Sequence, residues 1–231
     1  MTTPLEYATE RKAEILNELI AFARIPSVST DPAYLQGITA GSEWVAERMR
    51  RAGLENVQIN PTSGHPVVTC DWLHAEGAPT ILIYGHYDVQ PPDPLEKWKS
   101  PPFQPTVRDN RLYARGVSDD KGPMLIPIKT AEAYLKTLGK LPINVKFVIE
   151  GEEEMGSAHL GAFVARNKDL LKADFVLSAA CFAPRSTAFA CCSWTGSCAH
   201  KELADNKKKE RRTVKRSPGT RTMHRRSQTF G

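Results

Sequence analysis

Two apolar runs in this chain each end in a cluster of histidine and carboxylate side chains, and this pairing restricts the fold. Residues 80–84 precede Gly-His-Tyr-Asp at 85–88, and residues 143–149 precede Glu-Gly-Glu-Glu-Glu at 150–154. A short continuous apolar run is typical of a strand that is covered on both faces, as in α/β sheets. Such sheets bind ligands beyond the carboxyl ends of their strands. The sequence therefore predicts a polar site at one edge of a buried sheet.

Helical and strand-like segments alternate along the first 179 residues. Apolar spacing and the positions of glycine and proline predict helices at 6–24, 42–51, from 123 onward and at 158–167, and strands at 57–60, 66–72, 80–84, 143–149 and 174–178. Residues 103–108 and 112–114 flank Asp109-Asn110, which favours a hairpin turn. This order predicts an α/β fold, a three-layer sandwich around a largely parallel mixed sheet.

The charge of the chain is unevenly distributed between its two parts. Residues 1–200 carry 20 Lys and Arg against 23 Asp and Glu, a net charge of −3. Residues 201–231 carry 11 against 3, a net charge of +8. We expect a folded domain over residues 1–179 and a tail over 180–231 that is first rich in cysteine, then basic and disordered.

The first residues lack the basic and apolar regions of a secretory signal, and no apolar run is long enough to span a membrane. Cys70 stands alone, and the other four cysteines crowd into residues 181–198. Without a secretory signal a disulfide framework is disfavoured, so the sequence predicts a cytoplasmic protein.

The residue types in the polar clusters suit a divalent cation. His86 and Asp88 are two positions apart, so in an extended segment both side chains point the same way, and Asp88 can orient a metal-binding His86. Glutamates 150, 152, 153 and 154 would repel one another, and cations would relieve that repulsion. An additional carboxylate can serve as the base for a metal-activated water. The alternative for both clusters is a charged surface loop.

Asp119 and Asp120 lie in a loop that leads into a helix. One carboxylate can bridge two cations, since each of its oxygen atoms can bind a different ion. The alternative is that both aspartates simply complement the positive end of the helix dipole.

Gly-His-Tyr-Asp-Val-Gln-Pro stands at 85–91, Trp-Lys-Ser-Pro-Pro-Phe at 98–103 and Leu-Tyr-Ala-Arg-Gly at 112–116, together with the acidic clusters at 119–120 and 150–154. Through these motifs, residues 6–179 resemble the dinuclear-zinc aminoacylase/carnosinase family of metallopeptidases. The sequence at 85–91 is similar to that of the cytosolic dipeptidase branch. The resemblance implies a zinc-exopeptidase-like catalytic domain that hydrolyses a dipeptide or a small amide with a metal-activated water.

The resemblance also implies a role for each candidate residue. His86 would bind one zinc ion, Asp119 would bridge two, and Glu154 would bind the other. Glu153 would be the general base and acid, and Asp88 would support the site. It further implies two zinc ions, with Mn²⁺ or Co²⁺ as alternative ions, and a cis peptide bond between Asp119 and Asp120.

The sequence departs from this family at Ala180, where the pattern continues with a metal-binding aspartate. After this position we recognise neither the family's later histidine nor its lid and dimerisation domain. The abrupt change in composition is typical of a truncated or frame-shifted product. The alternative expectation is therefore a catalytically inactive fragment that binds one zinc ion or none and lacks the family's homodimer contacts.

Two other interpretations concern the tail. Cys191, Cys192, Cys198 and His200 could bind zinc, but their spacing fits no common zinc motif. The basic run at 207–212 could bind nucleic acid through phosphates, but no aromatic residue interleaves it as a stacking platform. Solvated disorder is favoured over both.

Overall fold

A five-stranded mixed sheet organises residues 2–179, which are the residues that the computed structural model of this chain describes. Its strands are β1 (Glu55–Asn60), β2 (Val67–Trp72), β3 (Thr80–His86), β6 (Asn144–Glu150) and β7 (Phe175–Ser178), in the spatial order β1-β2-β6-β3-β7. Two short strands, β4 (Thr106–Arg108) and β5 (Arg111–Tyr113), form a separate hairpin around Asp109 and Asn110, as predicted.

The five-stranded sheet contains two parallel and two antiparallel strand pairs. β3 runs parallel to both β6 and β7, whereas β2 runs antiparallel to both β1 and β6. The predicted α/β fold with a mixed sheet is confirmed. The parallel part is smaller than expected, because the β1–β2 hairpin pairs with β6 and thereby adds two antiparallel neighbours.

Helices lie along the chain in the order α1 (Pro4–Glu10), α2 (Lys12–Ala23), α3 (Leu35–Ala52), α4 (Gly122–Leu138), α5 (Leu160–Arg166) and α6 (Lys168–Leu171). The first predicted helix is divided at Arg11, where the backbone leaves helical geometry. α3 begins seven residues earlier than predicted, directly after a turn at Pro32–Tyr34 in which the Asp31 carboxylate accepts a hydrogen bond from the backbone N–H of Ala33.

Apolar side chains cover both faces of the sheet. Phe147 and Ile149 of β6 belong to the larger core with Ile38 and Met49 of α3 and Ile128 of α4. Val148, which points to the opposite face, belongs to a smaller cluster with Phe163 of α5 and Leu171 of α6. Helices therefore pack on both sides of the sheet, which is the predicted three-layer arrangement.

This topology brings the two polar clusters of the sequence together. His86 and Glu150 are the last residues of β3 and β6, and they are paired across the parallel ladder. The chain leaves both strands at the same edge of the sheet, as the apolar runs predict.

The predicted tail lies outside the described residues. This applies to the boundary at Ala180, to the cysteines at 191, 192 and 198 with His200, and to the basic run at 207–212. Among residues 2–179, no helix combines the length and the apolar character that a membrane crossing requires.

The packing of α3 leads to a stability prediction at Gly37. A Cβ atom at this buried position would lie 2.2 Å from the backbone oxygen of Pro26, which cannot rotate away. We expect Gly37→Ala to lower the free energy of unfolding by about 1–3 kcal/mol, the usual cost of overpacking, in urea titrations. Gly161→Ala is the matched control, because no atom lies within 4 Å of its Cβ position in α5 and helix propensity favours alanine. Equal effects of the two substitutions would contradict the packing around Gly37.

Candidate metal centre

His86 is buried at the end of β3, and both of its ring nitrogens face oxygen atoms. Nδ1 lies 3.1 Å from the backbone oxygen of Asp88 and 3.3 Å from its Oδ1. Nε2 lies 3.1 Å from Oδ1 of Asp119. The ring is thus held from its Nδ1 side, which leaves Nε2 as the atom directed at the acidic cluster.

Asp88 is fully buried and connects the end of β3 to the turn that follows β6. Its Oδ1 accepts a hydrogen bond from the backbone N–H of Glu153 at 3.2 Å, and its Oδ2 accepts one from Glu154 at 3.0 Å. Hydrogen bonds to an ionised carboxylate are the stronger ones in proteins. One side chain therefore positions both the imidazole and the two glutamates.

Glu153 and Glu154 begin a short 3₁₀ turn at Glu153–Met155. One ligand atom from each of His86, Glu153 and Glu154 lies within 4.8 Å of the others. The Glu154 carboxylate also accepts a hydrogen bond of 2.7 Å from Nε2 of Gln90, a residue that the sequence analysis did not single out. Among the described residues, this is the group of side chains whose ligand atoms are close enough together that it could hold a metal ion.

The remaining two glutamates of this run are bound by protein donors. Glu150 accepts hydrogen bonds from the hydroxyl groups of Tyr84 at 2.7 Å and Ser157 at 2.8 Å. Glu152 is bound by His65 and His159. Repulsion between the four acids is thus relieved partly by hydrogen bonding within the protein, which the sequence analysis did not foresee.

Asp119 and Asp120 occupy an irregular turn at Val117–Lys121, immediately before α4. Their peptide bond is cis, in agreement with the resemblance described above. The Asp119 side chain is 44% exposed and faces His86. Asp120 points inward, and its Oδ2 accepts a hydrogen bond from the backbone N–H of His86 at 3.2 Å.

Lys121 attaches this turn to the amino-terminal helices. Its amino group is buried and donates hydrogen bonds to the backbone oxygens of Phe22 at 3.1 Å and Ile25 at 2.6 Å. Burial lowers the pKa of Lys121 to about 7. The sequence analysis missed this contact, because nothing local distinguishes a lysine of this kind from a solvated one.

The electrostatic field at the cluster favours positive charge. Burial lowers the pKa of His86, but the hydrogen bond to Asp88 and the charges of Asp88, Asp120 and Glu153 outweigh it and raise that pKa to about 10. Burial raises the pKa of Asp120 to about 7 and also raises the pKa of Glu154. A divalent cation would meet the same field that stabilises a protonated imidazole.

The donor set of this cluster fits a divalent cation, because an imidazole and two carboxylates each offer a ligand atom. Imidazole and carboxylate ligands suit zinc, and carboxylates also suit manganese.

All five candidate residues from the sequence meet at this edge of the sheet. His86, Glu153 and Glu154 form one group, Asp119 contacts His86, and Asp88 lies behind them. Their separate roles stay predictions.

A family model described as peptidase family M20/M25/M40 matches residues 82–210 of this chain. The matched range contains every residue of the candidate centre, and it continues beyond the boundary that we predict at residue 179.

Individual relatives cover much of this chain, while the chain covers much less of them. Beta-Ala-His dipeptidase of Mus musculus is 43% identical over 153 residues, which make up 62% of this chain and 31% of the mouse protein. The crystal structure of the M20 family metallo-carboxypeptidase Sso-CP2 from Sulfolobus solfataricus matches with a TM-score of 0.65 and 39% identity, covering 72% of this chain and 37% of that one. Human carnosine dipeptidase 1 matches with a TM-score of 0.71 and 29% identity, covering 76% and 40%. The chain therefore spans about a third of the length of the mouse relative.

The position of Asp88 leads to a prediction that needs no metal. Asp88→Asn keeps the size of the side chain but replaces one acceptor oxygen with an NH₂ group, so one buried N–H of Glu153 or Glu154 loses its partner. We expect the free energy of unfolding to fall by about 1–3 kcal/mol in urea titrations, with faster hydrogen exchange at these two amides. Asp169→Asn, at an exposed position in α6, should change neither quantity. An unchanged exchange rate in Asp88→Asn would show that Asp88 does not hold this turn.

Proposed function

Because the chain belongs to peptidase family M20/M25/M40, we propose that residues 2–179 form the metal-binding and base-carrying part of a metallopeptidase catalytic domain. The reaction is the hydrolysis of an amide bond in a dipeptide or similar small substrate. The observation that carries this proposal is the convergence of His86, Glu153 and Glu154, with Asp119 against the imidazole and Asp88 behind it.

His86, Asp119 and Glu154 are the residues that would hold the metal. Zinc fits this donor set best, and Mn²⁺ or Co²⁺ are alternative ions. Asp119 is the residue suited to share two ions, since its two oxygens are not both occupied by His86. A bound divalent ion supplies a Lewis acid and lowers the pKa of the attacking water.

Glu153 is the residue proposed for proton transfer. Its carboxylate lies in the same group as His86 and Glu154, while its backbone is fixed by Asp88. In this proposal Glu153 takes a proton from the attacking water and later delivers it to the leaving amine. Asp88 keeps the imidazole of His86 oriented with Nε2 toward the cluster.

A dipeptide is favoured as the substrate class by the motif at 85–91 and by two of the relatives. The mouse and human proteins are named as dipeptidases, whereas the protein from Sulfolobus is named as a carboxypeptidase. A cytoplasmic location belongs to the same proposal and still rests on the sequence alone.

A second candidate function is metal binding without turnover. It is favoured by Ala180, which stands where the resemblance implies a further carboxylate ligand. With one ligand fewer, the centre would hold a single ion weakly, with water as its remaining ligand. We infer that the 231-residue chain by itself hydrolyses dipeptides negligibly. The loss of one group that stabilises the developing charge in the transition state lowers the rate by about a hundredfold or more.

Metal binding is tested by titrating the metal-free chain with Zn²⁺ or Co²⁺ in a calorimeter. We expect His86→Ala to weaken binding by more than about a hundredfold, since the loss of a ligand should exceed the ten- to hundredfold cost of losing a residue behind a ligand. His74→Ala is the matched control, because His74 pairs with Glu55 on the exposed surface outside the cluster. Equal affinities of wild type and His86→Ala would refute the metal centre.

Activity is tested with the same purified chain. We expect negligible release of amino acids from a panel of dipeptides in the presence of Zn²⁺, Mn²⁺ or Co²⁺. Glu153→Gln serves as the control, because it removes the proposed base and preserves the size of the side chain. Turnover by the wild-type chain that Glu153→Gln abolishes would disprove the second candidate function and support full catalysis.

A further inference from the structure

We propose that Glu152 and His159 form a positioning pair that holds the turn bearing Glu153 and Glu154 in its metal-binding geometry. This inference rests on the proposed function of that turn. Neither residue belongs to the group of His86, Glu153 and Glu154 that could hold a metal ion.

The Glu152 carboxylate is only 3% exposed, and protein donors occupy both of its oxygen atoms. Oε1 accepts a hydrogen bond from the backbone N–H of His65 at 2.9 Å, and Oε2 accepts one from the backbone N–H of His159 at 3.2 Å. Nδ1 of His159 lies 3.0 Å from each oxygen. Since an ionised carboxylate only accepts hydrogen bonds, Nδ1 of His159 is the protonated nitrogen in this contact.

These contacts fix the turn against two neighbouring segments. His159 immediately precedes α5, so its bond to Glu152 ties the turn to that helix. On the other side, a Cβ atom at Gly64 would lie 1.6 Å from Oε1, so the backbone of the β1–β2 loop packs directly on the carboxylate. His65 continues the connection through Nε2, which lies 2.9 Å from the backbone oxygen of Ser29.

The pair complements Asp88 instead of duplicating it. Asp88 binds the backbone N–H groups of Glu153 and Glu154 from the side of His86. Glu152 is held through His65 and His159, and its own backbone oxygen accepts hydrogen bonds from Met155 and Ser157. The turn therefore has two separate anchors, so loss of either one lets the carboxylates of Glu153 and Glu154 drift from the imidazole.

A buried carboxylate with no ligand role is costly unless hydrogen bonds and a partner compensate for its desolvation. His159 supplies that partner at an accessible position, since its side chain is 39% exposed. It can therefore be substituted without opening the core.

The test uses the full-length chain and compares His159→Ala, His159→Asn and the distant control His74→Ala. Asparagine can place an N–H donor near the position of Nδ1, so it should restore the contact with Glu152. We expect His159→Ala to weaken Zn²⁺ binding by about ten- to a hundredfold, the usual effect of removing a residue behind a ligand. His159→Asn should retain most of the affinity, and His74→Ala should match the wild type.

A second measurement, hydrogen exchange in the metal-free protein, separates this proposal from the proposed function. The amides of Glu153 and Glu154 should exchange faster in His159→Ala and return toward wild-type rates in His159→Asn. If the wild-type chain bound no zinc but showed this exchange pattern, the metal centre would fail and the positioning pair would stand. Unchanged exchange rates of these two amides in His159→Ala would overturn the proposed positioning pair. If the wild-type chain binds zinc, an equal zinc affinity of His159→Ala would overturn it as well.

Discussion

The candidate centre depends on the contacts of the Asp88 carboxylate. This carboxylate lies within hydrogen-bonding range of the ring of His86, and it accepts hydrogen bonds from the backbone N–H groups of Glu153 and Glu154. His86 ends β3, and the two glutamates lie in the turn just after its parallel neighbour β6, so these segments are already close before any side chain is placed. Asp88 converts this proximity into a defined orientation, because a buried charge requires its hydrogen-bond partners in fixed positions.

The general plan of the fold and the location of the site can be predicted from the sequence. Residues 80–84 and 143–149 are apolar enough to indicate buried strands, and each is followed at once by polar groups. Parallel strands end at the same edge, so the meeting of His86 with Glu153 and Glu154 follows from topology. The place of Asp119 depends on the irregular turn before α4. The residues alone left Asp119 and Asp120 as equal candidates, and only the family resemblance selected Asp119.

The features that the sequence did not reveal all depend on contacts between distant segments. β6 lies between β2 and β3, although it follows them by more than fifty residues, so half of the strand pairs are antiparallel. Glu152 was indistinguishable from its acidic neighbours, yet it binds His65 and His159 instead of facing the imidazole. The spacing of residues in the sequence indicates which face of a helix or strand a residue occupies. It does not indicate which distant loop supplies the hydrogen-bond partner of that residue.

Through Lys121, the candidate centre depends on the amino-terminal residues of the chain. Residues 2–25, where the described part of the chain begins, contribute no candidate ligand, so a list of functional positions would mark them as dispensable. Yet the backbone oxygens of Phe22 and Ile25 are the partners of this buried amine, which adjoins Asp120. A chain starting at residue 26 would keep every proposed ligand but lose both acceptors of this amine and the phenylalanine ring that covers it. The amino-terminal helices therefore support the aspartate turn of the site, although they carry none of its proposed ligands.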